Sequence, residues 1–202
     1  MQLVCESTRI EDYLDEDEVV DYSHPLIQAE VRDLSAGTES EIERIHRTFE
    51  FVRDMITHSW DAQNPRVTCN ASEVLEHRTG ICYAKSHLLA ALLRAQGIPV
   101  GICYQRLTLG ETPESGYALH ALNAAYISSL NRWVRIDARG NKPGVQAEFS
   151  LDQECLAFIV RPELDEIDYP TIFAHPQSVV VDVLRRYRNS LTMYQFALPE
   201  RL

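Results

Sequence analysis

The hydrophobic period of this chain changes once, at Gly97-Ile98-Pro99, and the change limits what the chain can fold into. From Cys82 to Gln96 apolar residues occupy most of a helical circumference, with Leu88, Leu89, Leu92, Leu93 and Ala95 among them. A helix that is apolar nearly all round belongs in the middle of a core. Gly97 and Pro99 stop it at the positions expected of a C-terminal glycine and a following proline. Beyond them the period falls to two. Val100–Leu109, Tyr117–Ile127 and Arg132–Ala138 read as successive strands. Their connections, Gly110–Gly116 and Ser128–Asn131, are short enough for an antiparallel meander. Helices gathered before strands, rather than alternating with them, predict an α+β fold: N-terminal helices packed on an antiparallel β-sheet.

Upstream, residues 1–22 read as extended segments with a charge run, Glu11-Asp12 and Asp15 to Glu18, that suits a solvated face or turn. His24-Pro25 opens a short helix to about Leu34, broken by Ser35-Ala36-Gly37. Thr38 is placed to cap a longer helix, with Glu41 at capping-box spacing. Ile42, Ile45, Phe49, Val52 and Ile56 mark its buried stripe. Residues 57–69 read as loop, and Asn70 as the cap of a short helix, Ala71–His77. Downstream, short strands are expected near Gly144–Phe149 and Leu156–Val160. A Pro- and acid-rich segment, Pro162–Pro170, follows, and then a final helix from Ser178 to about Asn189.

Two hundred and two residues suit one domain, with its core at about 40–150, an N-terminal extension at 1–37 and a C-terminal extension at 162–202 packed on the core. The formal net charge of -11 is concentrated at one end. Residues 1–60 carry 15 acidic and 5 basic side chains, whereas residues 61–202 carry 15 and 14. This balance argues against nucleic acid and anionic membrane as partners. No apolar run reaches the length of a membrane span, and no secretory signal is expected, so the expected compartment is the cytoplasm. Cys5, Cys69, Cys82, Cys103 and Cys155 are odd in number, and none forms a CxxC. Neither a disulfide scaffold nor a zinc knuckle is expected, and no metal or cofactor is implied. There is no Gly-rich phosphate loop and no nucleotide fingerprint.

Cys82 stands apart from the other cysteines by position. It follows Thr79-Gly80-Ile81 at the start of the apolar helix. Unpaired N–H groups and the positive dipole end of a first helical turn favour a thiolate and can receive an oxyanion. Gly80 would allow an unusual backbone conformation there. On position alone Cys82 reads equally as a nucleophile or as a buried thiol, while the other four read as small buried hydrophobes. His120 alternates with Ala118, Leu122, Ala124 and Tyr126, and an imidazole in such a strand needs a partner for each nitrogen. A thiolate and Asp137 would supply both. Asp137, in Trp133-Val134-Arg135-Ile136-Asp137, could instead pair with Arg135 or Arg139. Trp60, Gln63 and Asn70 lie upstream, where a second oxyanion donor could originate, although a loop or cap role suits each. Lys85 and His87 read as helix-surface residues, and His24, His46, His58 and His175 show no metal-ligand spacing. Helix capping accounts for His77.

Ala71-Ser72-Glu73-Val74-Leu75-Glu76-His77-Arg78-Thr79-Gly80-Ile81-Cys82, followed by Leu92-Leu93-Arg94-Ala95-Gln96-Gly97-Ile98-Pro99, resembles the core of the transglutaminase-like superfamily. That core shows a short helix, a G-x-C turn, a helix ending R-A-x-G-I-P, and strands bearing a histidine and an aspartate. His120 and Asp137 occupy the matching places, and the resemblance covers about residues 40–150. It implies a papain-related α+β fold with Cys82 as nucleophile, His120 as base and then acid, and Asp137 as orienter. In these 202 residues neither the flanking β-domains nor the acidic calcium constellation of the cross-linking members is recognisable, and calcium dependence is not expected. The expected activity is cysteine-dependent acyl transfer through a thioester, on a peptide, protein or small amide substrate. The alternative is a non-catalytic peptide- or protein-binding module on the same fold.

Overall fold

In the computed structural model, which describes residues 1–202, the elements run β1 (Val4–Cys5), α1 (Pro25–Ser35), α2 (Glu41–Met55), β2 (Thr57–His58), α3 (Ala71–His77), β3 (Thr79–Gly80), α4 (Cys82–Arg94), β4 (Val100–Thr108), β5 (Tyr117–Ile127), β6 (Arg132–Ile136), β7 (Ile167–Asp168), β8 (Thr171–Ile172), α5 (Ser178–Arg186) and α6 (Ser190–Phe196). Every residue of α4 is buried. The helix packs against α2 and α3 on one side and against β4 and β5 on the other. The main sheet has the order β6-β5-β4-β7, all antiparallel. The α+β expectation and the central place of the apolar helix therefore hold.

Strand alternation divides the core. Leu119, Ala121, Ala125 and Ile127 of β5 join the leucines of α4 in the main cluster. Leu122 and Ala124 face the other way, onto Tyr13, Cys103 and Ile172. Fully burying each Leu of α4 contributes about 1.5–3 kcal/mol, and Leu88, Leu89, Leu92 and Leu93 are all fully buried in this layer. β5 outruns β6. Pairing with β6 begins at Asn123↔Ile136, which leaves residues 117–122 with no strand on that edge.

Several local expectations shift. Ser40, not Thr38, caps α2: its Oγ accepts the Glu43 N–H at 3.1 Å, while Thr38 Oγ1 donates to the Ser35 carbonyl. Glu41 is thereby released to accept the Ser128 and Ser129 N–H groups. Residues 144–149 and 156–160 form no strands, only the isolated bridges Lys142↔Val145 and Glu148↔Cys155. Side chains take up backbone groups there: Asn141 Oδ1 accepts the Ala147 N–H, and Asp137 Oδ2 accepts that of Ala157. The Pro-rich 162–170 segment contains β7, which pairs with Gln105 and Arg106. β1 pairs in parallel with β8, and a 3-10 turn fills Ile10–Leu14. The final helix is two helices. Asn189 is not an end but a cap, its Oδ1 accepting the Leu191 and Thr192 N–H groups to start α6.

Candidate active site

The local sequence explains how the Cys82 end of α4 is formed. β3 pairs in parallel with β2, setting His58 beside Gly80. A Cβ on Gly80 would lie 3.0 Å from the Ala84 Cβ and 3.1 Å from Thr68 Oγ1, so the glycine is favoured by crowding inside the fold, not by a left-handed backbone. Ile81 then turns into the helix. No side chain caps the first turn, and the first N–H bonded along the helix is that of Lys85, to the Ile81 carbonyl at 3.0 Å.

Cys82, His120 and Asp137 come together from separate elements. His120 lies on β5 and Asp137 one residue past the end of β6. His120 Nε2 stands 2.8 Å from Asp137 Oδ2, and the carboxylate also accepts the Ala157 N–H at 3.1 Å and, on Oδ1, the Arg139 N–H at 3.1 Å. With Nε2–H donating to the Asp137 carboxylate, Nδ1 is the nitrogen left for the thiol. Burial by itself would raise the Asp137 value, but the His120 charge and these donors outweigh it and hold the carboxyl below the usual range. The reverse balance applies to His120. Burial pulls it down, while the opposed Asp137 and the neighbouring Cys82 push it well up. The ring of Phe158 meets His120 edge-on, with centroids 4.9 Å apart.

The arginines do not take Asp137 away. Arg135 pairs with Glu154 and with Asp168 at 2.7 Å, and the Arg139 guanidinium pairs with Asp61. Only the backbone of Arg139 reaches Asp137.

Cys82 and His120 open on a cleft of about 940 Å³. Trp60 lines it and stacks on Tyr194 of α6, with centroids 4.6 Å apart. Gln63 and Asn70 do not line it. Gln63 donates to the Trp60 carbonyl, and Asn70 caps α3, with Glu73 reaching back to its N–H. A second cavity of about 710 Å³, lined by Arg66, Cys69, Arg185 and Arg188, contains none of the three. Burial pushes the Cys69 thiol up to about 11 and that of Cys103 up to about 12, whereas Cys5 and Cys155 are half-buried. No group of three or more His, Cys, Asp or Glu is arranged to hold a metal ion. No helix is long and apolar enough to cross a membrane.

Three residues differ from their sequence reading. Lys85 is not on a helix surface but 1 % exposed, its Nζ donating to the Ile56 carbonyl at 2.5 Å and the Arg53 carbonyl at 3.2 Å. Burial, reinforced by Arg139, pulls its value down to about 7. His87 is fully buried with Nδ1 at the Cys69 carbonyl, 2.9 Å away, and burial draws it down to about 4. The available signal was the helix itself: on a segment apolar all round, a polar residue is buried too. His58 lines the cleft with Nδ1 unpartnered, 3.8 Å from Asp61. Burial first, then Arg139, lowers it well below the usual value and keeps it neutral. A two-residue strand has no period that could have marked it.

Residues 28–138 match the sequence profile of the Transglutaminase-like superfamily. Among solved structures, the chain is similar to a "Putative Cysteine Protease" from Cytophaga hutchinsonii, with 19% identity and a TM-score of 0.53 over 66% of this chain and 43% of that one. It also aligns with the periplasmic domain of TgpA from Pseudomonas aeruginosa, with 17% identity and a TM-score of 0.47 over 65% of this chain and 48% of that one. The chain thus spans less than half the length of either. No curated protein shows significant similarity to it.

Proposed function

Because the chain belongs to the transglutaminase-like superfamily, we propose that it is a cysteine-dependent acyl-transfer enzyme acting on an amide or peptide bond, with Cys82, His120 and Asp137 as its triad. The observation that carries this reading is the His120 ring, held by Asp137 at 2.8 Å on one nitrogen in the wall of the cleft that Cys82 also lines. A buried imidazole whose proton affinity is raised by both neighbours supports a thiolate–imidazolium pair in the resting site. The cysteine-protease name of the Cytophaga structure points the same way, but it belongs to that protein.

In this mechanism the Cys82 sulfur attacks the substrate carbonyl, and the carbonyl π-electrons move onto oxygen. The uncapped first turn of α4 offers N–H groups to the oxyanion. His120 gives its Nδ1 proton to the leaving amine as the C–N bond breaks, leaving a thioester on Cys82. His120 then takes a proton from water, or from an incoming amine, and the new nucleophile displaces the thiolate. Asp137 stays ionised, fixes the ring tautomer and balances the imidazolium.

Mass spectrometry after single turnovers with a panel of activated acyl amides and peptide anilides tests the reading. The expected result is an acyl adduct on Cys82 in the parent protein and none in Cys82→Ala, whose fold is kept. An adduct that forms equally well in Cys82→Ala, or a parent protein that binds the peptides without ever forming an adduct, overturns it. The second result would leave a binding module.

A further inference from the structure

On the edge of β5 that β6 leaves uncovered, the peptide group beside His120 already has a partner. The Leu119 N–H donates to the Pro199 carbonyl at 2.8 Å, and the Leu119 carbonyl accepts the Tyr83 hydroxyl at 2.8 Å. Pro199 belongs to the segment after α6. Leu198 lines the same cleft as Cys82 and packs on the main core, while Glu200 to Leu202 are exposed. The match is chemically specific. With its carbonyl taken by Tyr83, Leu119 offers one donor and no acceptor. Proline offers one carbonyl and no N–H, so nothing is left unsatisfied. A chain segment that bonds to a free strand edge and seats an aliphatic side chain in the adjoining cleft is bound as a peptide ligand is. No other backbone hydrogen bond and no ion pair ties down residues 198–202.

We propose that residues 197–202 are a built-in occupant of the peptide-binding edge of the Cys82 cleft, a strap that an acyl substrate must displace. The substrate that displaces it is an extended peptide carrying a branched aliphatic side chain in the place of Leu198 and a carbonyl in the place of Pro199. This rests on the reading of the Cys82 cleft as the place where an acyl substrate binds. The strap leaves small reagents free to reach the thiol and restrains large ones.

Alkylation rates at Cys82 test it, using iodoacetamide as the small reagent and a leucine-containing peptidyl vinyl sulfone as the large one. Two variants are used: residues 198–202 replaced by Gly and Ser, and Leu198→Glu. In both, the vinyl sulfone rate should rise about tenfold, the effect of weakening the strap by its one half-buried aliphatic contact, while the iodoacetamide rate stays close to that of the parent. A synthetic peptide with the sequence of residues 195–202 should slow the large reagent again, and the same peptide carrying Leu198→Ser should not. Equal vinyl sulfone rates in parent and variants, or equal acceleration of both reagents, would overturn the strap; the second outcome reports general loosening. Anisotropy of the labelled peptide on the Gly/Ser variant carrying Cys82→Ala separates this inference from the enzymatic one. Binding there upholds the strap even where no thioester ever forms. Absence of binding sinks it even where Cys82 is acylated normally.

Discussion

At its C-terminal end α4 leaves almost no carbonyl unpaired, whereas at its N-terminal end it leaves the first turn without a cap. The closed end is a knot. Ala95, Gln96, Gly97 and Ile98 fold their N–H groups back onto the helix, and Gln96 Nε2 takes the Leu92 carbonyl. Gly97 supplies the left-handed turn, at φ 74°. Buried Arg94 donates to the carbonyls of Val100, Asp15 and Ala174, tying three distant segments together. The open end has Ile81 with no side-chain cap, a thiol, and a cleft. One helix thus has an end completed by its own protein and an end whose donors are available to something else. Free polar groups at a buried helix end cost stability, and their retention at Cys82 is what a chemical site requires.

The sharpest way to break this comparison is Asp137→Asn. It acts at the open end, where it misorients His120, and in the serine-protease analogue the loss reaches about 10⁴-fold in turnover. The expected outcome is a collapse of single-turnover acylation per folded molecule that far exceeds the accompanying drop in urea midpoint; Asn can still accept the Arg139 N–H, but its amide faces the Ala157 N–H and the charge opposite His120 is gone. A variant that loses stability but acylates normally would make Asp137 structural, and the two ends of the helix would then be alike.

Arg94→Met acts at the closed end and should do the reverse. Three carbonyls lose their donor in a buried place, which costs about 3 kcal/mol or more. Urea unfolding should show this, while the acylation rate per folded molecule stays near that of the parent.

The smallest effect sharpens the contrast through pH. Lys85, one turn inside the open end, is drawn from 10.5 down to about 7 by burial. A depressed folded value means that the unfolded chain binds the extra proton, so stability from this group is present above the unfolded value and lost as pH falls through about 7. His120 has the opposite sign: its raised value stabilises fully below about 6.5, and the effect fades as pH rises through the folded value. Urea midpoints of Lys85→Met and the parent at several values from pH 6.5 to 10 separate the two. Relative to Lys85→Met, the parent should gain stability with rising pH, and the His120 contribution is common to both. A difference that stays flat with pH would show Lys85 to be charged in the fold.

The sequence was most legible where physical patterns are long. The all-apolar α4, its Gly97 and Pro99 stop, and the alternation of β4 and β5 needed no tertiary information, and they placed Cys82 at a helix start and His120 in a strand. Asp137 was legible by type and place; its own pattern leaves the partner open between His120 and the arginines, and only the family resemblance favours His120. The choice between His120 and the arginines depends on Glu154, Asp168 and Asp61, which hold the guanidinium groups elsewhere. Residues 141–172 were misread because they are held by bonds such as Asn141 to Ala147 and Ala157 to Asp137, which have no period. Lys85 was misread because residue type was weighed above the helix it sits on. The roof of the cleft is not legible with α6, because a lone Asn189 suits a helix end as well as a helix cap.

The Trp60–Tyr194 stack at that roof gives the protein an optical handle on its own cleft. The chain has two tryptophans, Trp60 and Trp133. Trp133 lies against Tyr13 and Tyr126, away from Cys82, whereas Trp60 joins the loop before α3 to the helix from which the strap leaves. In a Trp133→Phe background, indole emission therefore comes from a single ring, stacked on Tyr194 in the wall of the cleft. Entry of a peptide beside that stack can then be followed as a change in light, with no chemistry taking place.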